Sequence, residues 1–370
     1  MYQPGMKSKN LLGMSQDELM DYVQSLNEKP FRGKQLYQQL YRRKQFVIHE
    51  MTDLAIEFRA RLEAVARVSL PQIADRRTSN DGTVKFLFRL EDGQLIESVY
   101  IPEEHRHTVC ISSQVGCDAG CTFCMTATMG FRRNLQAGEI VGQVLAIIDQ
   151  GYLRDSGFNV VFMGMGEPLY NYQNVLKSFR LMTDPEGMDL SHRRITVSTA
   201  GVVPVLKKMS KETRLPNLAI SLNAVSDEVR GRIMPINRKW GLGELLEVCR
   251  QFPLEPRRRL TFEYVLLKGE TDSERDAREL TRLLRGIPAK VNVIPYNPNS
   301  GLGHERPSAQ SVDRFCESLR NLGVSAYVRK TRGVDIAAAC GQLVSDSINT
   351  SALAQGADDA SSRTNNLSQR

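Results

Sequence analysis

Apolar positions along the chain follow two different periods. Between Met14 and Val68 they recur at helical spacing. Ser15 with Glu18 forms a capping-box signature ahead of Leu19, Tyr22, Val23 and Leu26. Pro30 interrupts, and over residues 33–43 Leu36, Tyr37, Leu40 and Tyr41 fall on one helical face. The other side of this second helix carries Lys34, Arg42, Arg43 and Lys44. A solvated basic face is the plain reading of such charges, and an RNA-binding face the sharper one. Residues 83–90 and 94–100 then flank Asp92-Gly93, which predicts a β-hairpin.

From His107 the pattern changes to short apolar runs alternating with helical stretches. Strands are expected over 108–112, 159–163, 195–199, 218–222, 260–267 and 291–295. Helices are expected over 137–150, 174–182, 202–209, 242–251, 273–284 and 311–321. Six βα units predict the α/β class, with a parallel sheet curled into a partial TIM-like (βα)6 barrel. Beyond about Leu343 the chain turns to Ser, Asn, Ala, Gln and Asp, a composition that reads as disordered. The expected organisation is a helical accessory domain over 1–75, a hairpin extension over 76–106, the barrel over 107–345 and a tail over 346–370.

Composition adds little to this picture. The chain has 370 residues, 41% hydrophobic and 25% charged, as an ordinary soluble protein has. Neither a signal-peptide core nor an apolar run near the ~20 residues needed to cross a bilayer is apparent. A net charge of +7 hints at a polyanionic partner. The seven cysteines are an odd number and three crowd together, which fits thiols in a reducing cytoplasm rather than a disulfide frame.

Those three cysteines carry the strongest chemistry. Cys117, Cys121 and Cys124 are spaced C-x3-C-x2-C. Three thiolates can hold three irons of a 4Fe-4S cubane and leave the fourth without a protein ligand, free to bind a small molecule. Structural zinc is the alternative, but only Cys110 lies near enough in sequence to complete four ligands, and no His follows at finger spacing. In a barrel the working residues sit at the C-terminal ends of strands. The second strand runs into Met163-Gly164-Met165-Gly166-Glu167-Pro168, where glycine lets backbone approach a ligand and Glu167 could accept bonds from an α-ammonium group. Ser198, then Ser221, Leu222 and Asn223, then Asn297 follow at the ends of later strands. Singly each is an ordinary cap or loop residue; together they suit a ribose and an amino-acid carboxylate. Cys340, in an Ala-rich stretch after Arg329, Lys330 and Arg332, is either a small core residue or a thiol that those cations favour as thiolate. Cys110 reads as core filler inside the first strand, and Cys249 and Cys316 as structural.

With these residues in view the chain resembles the bacterial dual-specificity adenine-C2 RNA methyltransferases of the radical S-adenosylmethionine superfamily. The resemblance rests on Ser112 to Cys117, Gly130 to Leu135, Met163 to Pro168, Ile294 to Pro298, Val328 to Gly333 and Ala339-Cys340-Gly341, and it runs from about Ser15 to about Leu343. One departure is Asn223, where a His is common.

The resemblance implies a 4Fe-4S cluster on Cys117, Cys121 and Cys124, and S-adenosylmethionine held by Gly166, Glu167, Ser198, Ser221, Leu222, Asn223 and Asn297. Carbon 2 of adenine is electron-poor and does not attack a sulfonium, so a radical route is needed. By resemblance Cys340 takes a methyl group from one S-adenosylmethionine. A second molecule yields a 5′-deoxyadenosyl radical that activates the methyl for addition to the ring. Cys110 then releases the product by closing a disulfide with Cys340, and Glu97 removes the ring proton. Without the resemblance, Glu97 reads as a surface strand carboxylate. The implied partners are 23S rRNA, tRNA and an electron donor such as flavodoxin or ferredoxin, for a cytoplasmic, monomeric enzyme with no membrane contact. Phosphate contacts would fall to Arg42 to Lys44, Arg132-Arg133, Arg193-Arg194 and Arg257 to Arg259. Methylation of carbon 8 by the same chemistry, or a non-catalytic iron–sulfur RNA-binding protein, are the competing readings.

Overall fold

The computed structural model describes residues 8–104, 106–153, 157–299 and 301–344. The tail expected over 346–370 lies outside the described residues. One ten-stranded sheet organises the chain: β1 (Gln72–Thr78), β2 (Val84–Arg89), β3 (Leu95–Glu103), β4 (Arg106–Cys110), β5 (Asn159–Phe162), β6 (Ile195–Thr199), β7 (Asn217–Ser221), β8 (Leu260–Leu266), β9 (Ala289–Pro295) and β10 (Ala326–Val328). The strands lie side by side in chain order. From β4 to β10 every pairing is parallel, and from β1 to β4 every pairing is antiparallel. Sequential parallel order with intervening helices brings all C-terminal strand ends to one rim, where a barrel builds its site.

The six expected strands and six expected helices are present with ends shifted by a residue or two. Two further strands complete the sheet. β1 reads Gln-Ile-Ala-Asp-Arg-Arg-Thr and is mostly exposed, so it lacks an apolar signature, and β10 is three residues long. A short antiparallel ribbon, Gln114–Gly116 with Phe131–Asn134, stands between β4 and the helix Ala137–Asp149 and brackets the cysteine triplet.

The N-terminal helices form as read. Ser15 Oγ accepts from the Glu18 amide at 3.2 Å and Glu18 Oε2 from the Ser15 amide at 2.7 Å. Leu36, Tyr37, Leu40 and Tyr41 are all buried. The Tyr37 hydroxyl donates to Asp184 at 2.8 Å, which ties this unit to the barrel. Several of the basic runs are spent internally. Lys34 pairs with Glu186 and Arg43 with Asp53, Arg133 bridges Asp92 and Glu139, and Arg193 and Arg258 share Glu255. A run of cations in sequence is thus a poor guide to a phosphate surface here. No helix among the described residues is long and apolar enough to cross a membrane.

At the rim the backbone of a parallel sheet runs out of ladder partners, and one side chain takes over. Arg230, fully buried on the helix Asp227–Ile233, donates to the carbonyls of Ala200 (2.6 Å), Ser221 (3.0 Å) and Leu222 (2.9 Å) and to Asn237 Oδ1 (2.9 Å). It therefore fastens the end of β7 to the segment leaving β6. Burial pulls its guanidinium down to about 10, so it stays protonated at neutral pH. Arg230→Met would remove four hydrogen bonds, leaving Leu222 O only its bond from the Ala224 amide, and should destabilise the protein by at least about 3 kcal/mol, read as a fall in the urea midpoint. A variant within about 1 kcal/mol of the unaltered protein would contradict this role.

Candidate active site

A cavity of about 940 Å³ opens at this rim. Cys117, Cys121 and Cys124 line one end of it, and Arg329 and Cys340 line another part. Gly166, Glu167, Ser198, Ser221, Asn223 and Asn297 all contribute to the wall between. Residues scattered over more than two hundred positions thus meet in one place. Among the residues singled out from sequence, Leu222, Cys110 and Glu97 do not line it.

The cysteine loop is pinned where it leaves and rejoins the ribbon. The Cys117 amide donates to Gly130 O at 3.1 Å. A Cβ at Gly116 would stand 1.8 Å from that same carbonyl oxygen, so only glycine fits. Farther along, the Thr122 hydroxyl meets His304 Nε2 at 2.8 Å, and His304 Nδ1 meets Glu270 at 2.7 Å. The Met125 amide donates to Gly341 O, and the Thr126 hydroxyl to Leu343 O. Burial pushes the Cys117 thiol up to about 12 and raises Cys121 and Cys124 as well. Arg230 acts against that rise at Cys121. Thiols desolvated in this way, on half-buried residues, are stable either as neutral thiols or as thiolates on a cationic metal. All three line one cavity, and among the described residues no fourth His, Cys, Asp or Glu joins them as a ready-made single-ion site. Three thiolates without a fourth protein ligand are the donor set of a cubane with one open iron, whereas structural zinc takes four.

The wall is polar and already well bonded. Glu167 is buried, and its carboxylate accepts from Thr199 Oγ1 (2.6 Å), the Ala200 amide (2.7 Å) and the Leu169 amide (3.0 Å). Burial pushes its carboxyl up, and those bonds oppose the rise. A carboxylate accepts about four bonds, so one place remains for an outside donor. A Cβ at Gly166, whose φ is +97°, would meet Gln114 Cβ at 2.5 Å. Asn223 adopts a left-handed backbone (φ +60°), which Asn enters more readily than most residues, and its Oδ1 accepts from the Val265 amide. The Ser198 hydroxyl donates to Glu263 at 2.9 Å. Glu263 lines the cavity too and was not anticipated; its only sequence signal is an acid inside the apolar run of β8.

Cys340 sits on a strap, residues 333–344, held from two sides. On one side the turn after β1 grips it. Ser79 Oγ donates to Asp335 at 2.5 Å, the Gly333 amide to Asp81 at 3.0 Å, and Lys85 Nζ to Ala337 O at 3.2 Å. On the other side are the cysteine loop and Asn297, whose side-chain amide donates to Cys340 O at 3.3 Å. Arg329 contacts Glu263 at 3.3 Å and Met163 Sδ at 3.3 Å. Burial raises the Cys340 thiol, and the Arg329 charge beside it pulls it back. Cys110 ends β4, buried, and burial pushes its thiol up to about 12, with Cys340 adding to the rise and Arg329 opposing it. All seven cysteines are free thiols, so the disulfide implied between Cys110 and Cys340 is not formed here. Glu97 is 0% exposed and pairs with Lys85 at 3.2 Å, contrary to its reading as a surface carboxylate. Lys85 in turn holds the strap three residues before Cys340.

Comparison with known proteins agrees with this geometry. Residues 111–281 match the Radical SAM superfamily, and residues 9–68 match the ribosomal RNA large subunit methyltransferase N-terminal domain. The dual-specificity RNA methyltransferase RlmN of Anaeromyxobacter dehalogenans is 49% identical over 343 residues, covering 91% of this chain and 92% of that protein. The Geobacter sulfurreducens protein of the same name is 48% identical over 334 residues, 90% of this chain and 91% of its own. A crystal structure of a radical SAM methyltransferase from Sphaerobacter thermophilus superposes with a TM-score of 0.86 at 41% identity, over 90% of this chain and 98% of that one. The chain belongs to the RlmN family of radical S-adenosylmethionine methyltransferases, a family that implies a 4Fe-4S cluster and S-adenosylmethionine.

Proposed function

We propose that this enzyme methylates carbon 2 of adenine in 23S rRNA and in tRNA, with Cys340 as the methyl carrier. The observation that carries the reading is the convergence of Cys340, Arg329 and the cysteine triplet on one cavity, with the buried Cys110 thiol close enough to feel Cys340. The names of the relatives, dual-specificity RNA methyltransferases, support it.

Cys117, Cys121 and Cys124 would hold the cluster, while Gly166, Glu167, Ser198, Ser221, Leu222, Asn223 and Asn297 would hold or shape the site for S-adenosylmethionine. Leu222 serves through its backbone, since its side chain is buried and its carbonyl already accepts from Arg230. When bound, the cluster supplies the single electron on which this superfamily's radical chemistry depends.

The chain's own residues do the rest. Cys340 loses its proton to solvent, helped by Arg329. Its sulfur then attacks the methyl carbon of S-adenosylmethionine, and S-adenosylhomocysteine leaves. A second S-adenosylmethionine is used in the same turnover. Before the methyl carbon could join the ring it would have to give up one hydrogen atom, and after it had joined, the adduct would return one electron and Glu97 would take the ring proton. Cys110 would then lose its proton and attack the Cys340 sulfur, so that an S–S bond forms as the sulfur–carbon bond breaks. The electron pair stays on the released carbon, which takes up a proton to complete the methyl group. Two electrons from the donor would reduce the disulfide. The 1–75 unit would engage the RNA, in keeping with its match to a ribosomal RNA methyltransferase N-terminal domain. The enzyme would act in the cytoplasm as a monomer with a flavodoxin- or ferredoxin-type donor.

Anaerobic turnover with ribosomal RNA and methyl-labelled S-adenosylmethionine should yield labelled 2-methyladenosine. Labelled 8-methyladenosine instead would move the chemistry to carbon 8, and no labelled nucleoside together with no 5′-deoxyadenosine would leave only a binding protein. Changing any one of Cys117, Cys121 and Cys124 to Ala should lower bound iron in anaerobically purified protein to under about a tenth of the unaltered value. Zinc in place of iron in the unaltered protein would end the cluster assignment.

Peptide mass spectrometry of protein taken from cells should find a methyl group on Cys340. Cys110→Ala protein should carry RNA attached covalently through Cys340, and the double variant with Cys340→Ala should carry none. If Cys110 is only core filler, its truncation costs about 1–3 kcal/mol of stability and releases product normally.

A further inference from the structure

β8 runs Leu-Thr-Phe-Glu-Tyr-Val-Leu, and all seven residues are buried. Alternation along the strand brings Glu263 and Val265 to the wall of the large cavity. A carboxylate inside an apolar strand costs free energy unless charge or hydrogen bonds answer it. Here Ser198 Oγ donates to Glu263 Oε2 at 2.9 Å, and Arg329 donates to Oε1 at 3.3 Å. A carboxylate accepts about four bonds, so these two leave Glu263 able to take more. None of the steps proposed for Cys340, Cys110 and Glu97 uses it.

Charge gives the residue a use. Among the described residues lining the cavity, Arg329 is the only cation, and Glu167 and Glu263 are the only carboxylates. Glu167 is already held by Thr199, Ala200 and Leu169. Cys340 stands beside Arg329, whose charge favours its thiolate. The same guanidinium would repel a sulfonium brought up to that sulfur. Glu263 sits against Arg329 and offsets the repulsion, so that guanidinium and sulfonium are balanced by carboxylate and thiolate. Methyl transfer then changes the sum. The methyl leaves the sulfonium, whose bonding pair stays on that sulfur, and a thiolate pair makes the new bond to carbon. Both sulfurs end neutral, and Glu263 keeps Arg329 as its counter-ion.

We propose that Glu263 is a specificity-determining residue for the cofactor, the counter-charge by which the cavity favours a sulfonium over the neutral thioether it becomes. The inference rests on the proposed role of Cys340 as methyl acceptor, and adds how the cavity tells the methyl donor from its spent form. One cavity takes S-adenosylmethionine twice in a turnover, so S-adenosylhomocysteine has to leave in between. A carboxylate that attracts only the charged form favours that exchange, because the spent molecule has lost the charge that held it.

The test is equilibrium binding to the intact, anaerobically prepared protein without reductant, with recovery of unchanged cofactor checked by chromatography. Unaltered protein should bind S-adenosylmethionine about tenfold more tightly than S-adenosylhomocysteine, a difference of about 1.4 kcal/mol. Glu263→Gln keeps the shape and an acceptor for Ser198 but removes the charge, and should bring the two affinities within about twofold of each other. Glu263→Asp keeps the charge and should retain the preference. A merely structural role would weaken both ligands alike and leave their ratio unmoved, and thermal unfolding of each variant shows whether it is folded. Equal affinities in the unaltered protein would overturn the proposal, and that result needs no variant. An unchanged ratio in folded Glu263→Gln protein, or a lost preference in folded Glu263→Asp protein, would overturn it too. A Cys340 that never carries methyl, with the preference intact, would sink the carrier and keep the counter-charge. A methylated Cys340 with equal affinities would sink the counter-charge alone.

Discussion

Everything at the working rim depends on one buried cation. The parallel strands β6 and β7 end with carbonyls that no further strand can satisfy, and Arg230 collects three of them in a single fork. Only a planar guanidinium with several donors can do this; a lysine would reach one carbonyl and leave the others bare. The same charge lies near enough to Cys121 to favour its thiolate. One residue therefore fastens the segments that follow Ser198 and carry Ser221 and Leu222 to each other, and sets a positive charge near the Cys121 thiol.

The opposite side of the site is built on another principle. There the chain supplies no strand ladder but a strap of single bonds, from Ser79, Asp81, Lys85 and Asn297, around the left-handed residues Gly333, Ala337 and Gly341. Burial alone would push the Asp81 carboxyl up, yet hydrogen bonds from Thr83, Gly333 and Ser79 hold it down at about 2, so the grip stays charged over the working range of pH. The antiparallel meander β1–β4 thus serves as more than an edge to the sheet, because its first turn bonds the strap that carries Cys340 some 250 residues later in the chain.

Much of this could be read from residue order. The alternation of apolar runs with helical stretches fixes the barrel, because each βα unit is a local pattern with its own period. The cysteine spacing, the Gly-Glu-Pro turn and the polar strand ends were all visible because they are short motifs at predictable places in that fold. What could not be read is what long-range packing decides. Arg230 looks like any helix arginine, and His304 and Glu270 are unremarkable loop residues until the fold brings them to Thr122. Glu97 looks like the outward residue of a hairpin strand, but the strap and Lys85 cover it. The basic runs mislead for the same reason, since their carboxylate partners come from elsewhere in the chain. Charge in a sequence gives a sum, whereas recognition depends on which cations the fold leaves unspent.

Cys110 and Cys340, near enough for each thiol to bear on the other, differ in their mechanical surroundings. Cys110 is paired on both sides within a ten-stranded sheet, to Val99 and to Val161. Cys340 hangs on bonds that can open one at a time. The first is an anvil and the second a hammer. A bond drawn between them would displace the strap before the sheet, because the strap gives up single hydrogen bonds where the sheet would give up a ladder. With a stiff sheet on one side and a tether of single bonds on the other, a displacement of either thiol costs less on the strap than in the sheet.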